Sequence, residues 1–404
     1  MSKVDQLRGV PIIDQLEIEG KVVFLRLDLN VPLKDGQIQD DTRIEAALPT
    51  IKYAMEQRAK VVVASHLGRP KTPEDRQKLS LEPVADEISR RLDIDVILVD
   101  DPLSDAPKAI LAGLKRNQLV MLENLRFYEG ETKNGHDLSI AVKEYADIYI
   151  NDAFGASHRS HSSIVDMAKE FETKGVGFLM KKEIEMLDQV LEGTERPYVA
   201  ILGGAKVSDK IVLIDRLIDS VDTFVIGGAM AYTFLKAKGI KVGESLVETD
   251  QLSFAKRLIE RLESRDKKLL LPIDHRVVTS FSAVETLRVT ETSVIDEGWM
   301  AIDIGPKSAL EFAKELRSAK RVFWNGPMGV FETPEYANGT FALARAIAEL
   351  DALTVIGGGD SASAAKQSGV ADKFTHISTG GGASLEYLQG EPLPGLLIQR
   401  GKLF

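Results

Sequence analysis

The stretch Leu353–Ala365, LTVIGGGDSASAA, holds the main clue to the fold. A short apolar run stops at a triplet of glycines. An aspartate follows, and then small residues suited to the first turn of a helix. Strand, bare turn and helix start, in that order, are the unit from which parallel α/β sheets are built. Glycine lets the backbone approach a ligand closely or take a positive φ. The free N–H groups of a helix start favour an anion. Further on, Thr375–Glu386, THISTGGGASLE, repeats the design without the acid.

Outward from this pair the same rhythm runs through the chain. Short apolar runs read as strands: KVVFLRLDLNV, AKVVVAS, DVILVD, QLVMLE and DIYIND, then YVAIL, TFVIG, KLLLPI, RVFWN, LTVIG and FTHIS. Amphipathic segments separate most of them, among them TRIEAALPTIKYAMEQRA, with Ile44, Ala47, Leu48, Ile51 and Met55 on one face despite Pro49. Near-continuous apolar strands alternating with helices predict parallel sheets covered on both faces. The segment FLMKKEIEMLDQVLEG follows the glycine-punctuated KGVGF near the middle of the chain. It reads as a connecting helix near 179–192, which opens the second of two lobes spanning 1–175 and 176–390, each of ordinary domain size.

Bulk composition narrows the classes. The 404 residues suit about two to three domains. Against 61 acidic residues stand 51 basic ones, a net charge of −10, which argues against a general nucleic-acid or anionic-membrane binder. There is no cysteine, so disulfides, thiolate catalysis and Cys-ligated metal are excluded. No stretch has the apolar core of a signal peptide or the length of a membrane span, and a cytoplasmic protein is expected.

In open α/β sheets ligands bind beyond the carboxyl ends of strands. In the first half those positions carry Asp28 and Asn30, His66 and Arg69 in SHLGRP, Arg126 in ENLRF, and His158, Arg159 and His161 in NDAFGASHRSHSS; Arg43 opens a helix. Any one of these alone reads as a structural histidine or a surface ion pair. Together, in an acidic chain, they read as an anion site, because the guanidinium fork matches carboxylate and phosphate. SHRSHSS resembles a metal tract but lacks carboxylates at fixed spacing. In the second half the strand ends carry GGAKVSDK, GGAM, NGPMGVFE, GGGDSAS and TGGGAS. Neither G-x-x-x-x-G-K-[ST] nor G-x-G-x-x-G occurs, so the standard nucleotide loops are absent. Yet GGAKVSDK places Lys206 and Lys210 four apart, as on one face of a helix start. Asp360 is a hard oxygen ligand suited to Mg²⁺. The composite reads as a phosphate-and-metal site for a nucleotide.

LRLDLNVPL, DDTRI, SHLGRP, LENLRF, NDAFGASHRSHSS, LGGAKVSDKI, FWNGPMGVFE, GGGDSA and TGGGASLE occur in the order found in phosphoglycerate kinases, which the chain resembles over essentially its whole length. The resemblance implies a monomer of two Rossmann-like lobes joined by a hinge helix, with 391–404 returning to the first lobe. It implies reversible phosphoryl transfer between 1,3-bisphosphoglycerate and ADP, giving 3-phosphoglycerate and ATP, direct and in line, with domain closure. Asp28, Asn30, Arg43, His66, Arg69, Arg126 and Arg159 would hold 3-phosphoglycerate. The Mg-nucleotide would fall to Gly203, Gly204, Lys206, Lys210, Gly227, Gly228, Asn325, Pro327, Glu332, Gly357, Gly358, Gly359, Asp360 and Ser361, with Asp360 on the metal and Glu332 toward the ribose. Arg43, Lys206, Gly381 and Gly382 would surround the phosphoryl group in flight. The chain departs from the family pattern at Ala229 and Ala301, near the expected purine pocket, and at His275–Arg276. Two rivals stand beside this reading: a non-catalytic two-lobed sensor of a phosphorylated metabolite, and a kinase for another phosphorylated carboxylic acid.

Overall fold

In a computed structural model, residues 7–133 and 135–400 are described. Division by backbone proximity gives two units, one running to Glu185 and taking in the segment from Glu391, the other Met186–Gly390. Of the segment 391–404 expected to return to the first lobe, residues 401–404 lie outside the described residues.

The first unit is built on a six-stranded sheet of β1 (Val22–Leu27), β2 (Lys60–Ala64), β3 (Asp95–Val99), β4 (Gln118–Leu122), β5 (Ile148–Asp152) and β6 (Lys174–Val176). Its order is β3-β4-β2-β1-β5-β6, all parallel. The central β1 and β5 are buried along almost their whole length, as strands covered on both faces must be. The helix Thr42–Glu56 buries Ile44, Ala47 and Ile51, as its pattern predicts, but Thr50 and Ala54 take the places expected of Leu48 and Met55. Strand β6 is unforeseen, because its KGV carries only one apolar side chain.

The second unit repeats the architecture with β7 (Tyr198–Leu202), β8 (Thr223–Ile226), β9 (Lys268–Leu270), β13 (Arg321–Asn325), β14 (Leu353–Gly357) and β15 (His376–Ile377). The order is β9-β8-β7-β13-β14-β15, again parallel. Between β9 and β13 the chain makes a separate antiparallel sheet of β10 (His275–Val278), β11 (Arg288–Val289) and β12 (Met300–Ile304). The rhythm of apolar runs does not reveal it, since β11 is exposed and β12 only partly covered.

The connecting segment is a helix, Phe178–Glu192. At its start the Phe178 N–H donates to Thr50 Oγ1 (3.0 Å) and the Met180 N–H to Asp152 Oδ1 (2.9 Å). A strand-end carboxylate thus takes up an orphan donor of the first turn. Gly177 is needed there, because a Cβ would overlap the Asp152 carboxylate. Within the second unit, Gln189 near the helix end accepts from Arg321 (2.8 Å) and Asp188 from the Tyr387 hydroxyl (2.5 Å). The C-terminal segment is tied to the end of β5, with Asn151 Nδ2 donating to Gly395 O (3.0 Å) and the Gly395 N–H to Ser157 O (2.9 Å).

Candidate active site

Beyond the ends of β1, β2, β4 and β5, the first unit gathers the expected cationic groups around one carboxylate. Asp28 is buried and forms an ion pair with Arg43. Burial pushes its carboxyl up, but Arg43 above all, with Arg26 behind it, outweighs burial and holds it at about 2. His66 is also buried, and its Nε2 lies 3.9 Å from Asp28. Burial drives the imidazole well below its ordinary value, against the pull of Asp28 and with the push of Arg26, Arg126 and Arg43. His66 is therefore neutral. Its Nδ1 faces Arg26 Nη2 at 3.1 Å, and a guanidinium can only donate, so the ring proton sits on Nε2. Asn30 accepts from the Gly68 N–H (2.8 Å), which draws the SHLGRP loop onto the end of β1. Arg69 extends into solvent. Arg126 donates to Gly68 O and is lowered to about 10 by burial, then by Arg159 and Arg26. Arg159 stands on His158, with Nε to Nε2 at 3.2 Å. Burial and the same arginines depress His161 to about 4.

The sequence reading missed three supports of this cluster. Arg26 is wholly buried within β1 and donates from Nε to Ser163 Oγ (2.7 Å) and from Nη1 to Leu27 O. Glu131, also wholly buried, accepts from the Ser163 N–H (2.9 Å) and hydroxyl (2.7 Å), with Arg26 Nη2 at 3.7 Å. Asn124 accepts from the Leu67 and Arg126 N–H groups (both 3.1 Å) and donates to Leu67 O (2.7 Å) and Leu79 O (2.9 Å). The charged residue inside an apolar run was a usable signal for Arg26. Glu131 and Asn124 act through partners remote in sequence and carry no local signal.

In the second unit the turns after β7, β8 and β13 pack backbone against backbone. The Gly203 N–H donates to Asn325 O (2.9 Å), that of Gly204 to Pro327 O (3.0 Å), and that of Gly228 to Met328 O (2.9 Å). A Cβ at Gly203 would overlap the carbonyl oxygens of Gly326 and Pro327, one at Gly228 would meet Gly204, and one at Gly227 would strike the Met328 sulfur. At Gly357 and Gly358 it would crowd Asn325. Gly204, Gly359 and Gly381 instead border open space. The first set is explained by close packing of turns, and the second is where a ligand could lie.

Lys206 and Lys210 do not share a helix face. The helical turn begins at Ser208, leaving Lys206 exposed in the loop, while Lys210 is buried. The tight Gly203–Gly204 turn delays the helix. Lys210 Nζ bonds Asn325 Oδ1 at the end of β13, and Asn325 Nδ2 donates to Gly357 O (2.7 Å). Burial pushes the Lys210 ammonium down, with Asp209 and Asp360 opposing. Asp360 is exposed in the first turn of the helix Gly359–Gln367, and Ser361 accepts from the Gly326 N–H (2.6 Å). Pro327 is half-buried and Glu332 exposed on the loop after β13. Gly381, at φ +53°, precedes the helix Gly382–Gln389. Ala229 and Ala301 both pack against one apolar cluster with Tyr232, Val277 and Ile295. His275 is buried, set edge-on to Tyr232 at 5.4 Å and facing Ser293 O at 3.2 Å.

Among the described residues no three His, Asp or Glu side chains are grouped to hold a metal ion by themselves. A magnesium ion bound mostly by nucleotide phosphates needs only one or two carboxylates, and Asp360, beside free helix-start N–H groups, fits that requirement. Among the described residues no helix is long and apolar enough to cross a membrane.

A model of the phosphoglycerate kinase family matches residues 13–391. The chain is 56% identical over 397 residues to the phosphoglycerate kinase of Bdellovibrio bacteriovorus, covering 98% of this chain and 99% of that one. It is 50% identical over 388 residues to that of Anaeromyxobacter dehalogenans, covering 95% and 98%. Among solved structures, the phosphoglycerate kinase of Coxiella burnetii superposes with a TM-score of 0.86 at 37% identity, covering 96% of this chain and 98% of that one. The enzyme from Pyrococcus horikoshii gives 0.82 at 32%, with the same coverage. On this agreement of sequence and fold, the chain belongs to the phosphoglycerate kinase family.

Proposed function

We propose that the two clusters divide the family's reaction between them, the arginine cluster binding 3-phosphoglycerate and the glycine turns of the second unit binding the Mg-nucleotide. The activity itself is the reversible transfer of a phosphoryl group between 1,3-bisphosphoglycerate and ADP. The observation that carries the division is the contrast in chemistry. Guanidiniums and a neutral imidazole surround Asp28 in one unit, whereas bare turns, Lys210 and Asp360 meet in the other.

In the ATP-consuming direction the acceptor is a carboxylate, ionised at neutral pH, so no general base is required. The work is positioning and charge neutralisation. Arg126 and Arg159, whose mutual repulsion is relieved by an anion, hold the substrate phosphate, and Arg69 adds a mobile fork. Arg43, steered by Asp28, turns to the substrate carboxylate and the phosphoryl oxygens. His66, neutral with its proton on Nε2, donates a hydrogen bond without adding charge. Lys210, fixed by Asn325, and Lys206, free to move, stabilise the β- and γ-phosphates. Gly359, Gly381 and Gly382 offer backbone N–H groups, and Glu332 accepts from the ribose. Asp360 would hold the magnesium, which when bound neutralises the nucleotide phosphates. In-line transfer requires the acceptor and the γ-phosphate to meet with water excluded, the step that closure of the lobes would supply. A monomeric, cytoplasmic enzyme is inferred from the same reading.

The test is a coupled assay with 3-phosphoglycerate and Mg-ATP, run beside other phosphorylated carboxylic acids. Turnover with 3-phosphoglycerate is expected to dominate. Binding without turnover would restore the sensor reading, and preference for another acid would restore the second rival.

A further inference from the structure

Glu248 lies in ESLVETDQ, residues 244–251, outside every strand-end motif. Its carboxylate nevertheless collects three donors from the lysine-bearing turn after β7. Oε2 accepts from the Val207 N–H and from the Ser208 N–H (3.2 Å), and Oε1 accepts from the Ser208 hydroxyl (2.6 Å). These donors open the helical turn Ser208–Lys210, which runs on into the helix Ile211–Leu217. N–H groups at such a start have no partner within the helix, and a carboxylate there is favoured by charge as well as by hydrogen bonding. Glu248 is itself anchored, its N–H donating to Thr233 Oγ1 (3.1 Å), and Thr233 is buried in the helix Met230–Ala237 that follows the Gly227–Gly228 turn. Met230, the first residue of that helix, donates its N–H to Gly204 O (3.1 Å). The segment from Gly204 to Ser208 is therefore tied to one helix at both ends, directly at Gly204 and through Glu248 at Val207 and Ser208. Exposed Lys206 lies between the ties, and the Val207 N–H belongs to the peptide group that joins it to Val207. The Lys206 side chain thus swings from a fixed backbone. Lys210 closes the same turn, its N–H donating to Val207 O (2.9 Å) and its Nζ to Asn325 Oδ1.

We propose that Glu248 is a positioning residue for the reaction, its carboxylate clamping the turn so that Lys206 and Lys210 meet the nucleotide phosphates from a fixed backbone. The inference rests on the proposed role of those two lysines at the nucleotide. A carboxylate beside a phosphate site carries the wrong charge for the ligand, so its value lies in geometry. Backbone and hydroxyl donors meet it, and it organises the lysines without neutralising them.

The test is steady-state kinetics of the full chain with 3-phosphoglycerate and Mg-ATP. Glu248→Ala frees the turn and should raise the KM for ATP about tenfold, the scale of one charge-assisted hydrogen bond. The KM for 3-phosphoglycerate should stay unchanged, which a general loss of folding would not allow. Glu248→Gln keeps an acceptor for the N–H groups and a polar partner for Ser208 but has no charge, and it should restore most of the lost affinity. A lower KM for ATP in both variants would show that the carboxylate only repels the nucleotide, and would overturn the proposal. Ser208→Ala should raise the KM for ATP about threefold by itself and add nothing to Glu248→Ala, because both break the same contact. Effects that multiply would overturn the clamp. Lys206→Ala separates the proposal from the reading beneath it. If it raises the KM for ATP and Glu248→Ala does not, the turn needs no clamp and the proposal alone falls. If neither raises it, Lys206 does not hold the nucleotide and both fall.

Discussion

Arg43 and Asp360 show how much one side chain's surroundings decide its role. Arg43 is paired with Asp28 but still partly exposed, so it can reach an arriving phosphoryl group without being rebuilt. Its contact strengthens as charge spreads over the transferring oxygens. Arg43→Ala should therefore lower kcat by roughly 10²–10³-fold, the range seen for one lost transition-state donor, with a far smaller change in KM. Steady-state kinetics that showed only a raised KM would assign Arg43 to ground-state binding instead. Asp360→Asn removes the carboxylate expected to anchor the metal while keeping the helix start. It should raise the magnesium concentration for half-maximal activity, and an unchanged Mg²⁺ titration would remove Asp360 from the metal. Both residues were legible in the sequence, because a lone acid after GGG and an arginine at a helix start are unusual there. Glu131 was not legible, since its meaning comes from Arg26 and Ser163, which only the fold brings to it.

At the scale of the element, the sheets and their order of appearance were readable, because buried parallel strands are continuous apolar runs. The antiparallel insert was not, since half-exposed short strands lack that mark. Nor was the pitch of GGAKVSDK, where spacing alone suggested a shared helix face. Glycine was the least decipherable residue, because the same letter serves two purposes in the strand-end turns. Gly203 is bare so that three turns can touch, and Gly359 is bare against open space. The two should separate in experiment. Gly203→Ala forces a Cβ onto neighbouring carbonyl groups and should destabilise the second unit by about 3 kcal/mol or more, the upper end for overpacking. Gly359→Ala adds a methyl group at a helix start and should leave stability within about 0.5 kcal/mol while raising the KM for ATP. Denaturation midpoints and ATP kinetics on both variants check the contrast; equal stability losses would show that Gly359 is also a packing glycine.

For the molecule as a whole, buried titratable groups set how stability depends on pH. Burial is the first cause for each. It raises Asp152 to about 6 and Asp303 to about 7, and it lowers His161 and His275 to about 4 and His66 well below its ordinary value. Asp303 accepts from the Gly339 N–H at 2.5 Å, while its other oxygen has no partner among the described residues. A carboxyl raised on folding stabilises the protein when protonated, and that contribution fades as pH rises through the folded value. A histidine lowered on folding does the opposite, its contribution fading as pH falls below about 6.5. Between about pH 4 and 6 the three histidines outweigh the two aspartates by about one proton, so stability should rise with pH by roughly 1.4 kcal/mol per unit. Above about 6.5 the protons still leaving the unfolded-state histidines nearly balance those leaving Asp303, so the rise should flatten and stability should level off above about pH 7. Asp303→Asn keeps an acceptor for Gly339 but cannot ionise, so its stability should rise with pH more steeply than the parent's up to about pH 7, by about one proton or roughly 1.4 kcal/mol per unit. Both tryptophans, Trp299 and Trp324, lie in the same unit as Asp303. Denaturant midpoints followed by their fluorescence from pH 5.5 to 8 therefore report that unit directly. Parallel curves for the parent and Asp303→Asn would show that Asp303 is ionised throughout that range, with its second oxygen paired to water rather than to a proton.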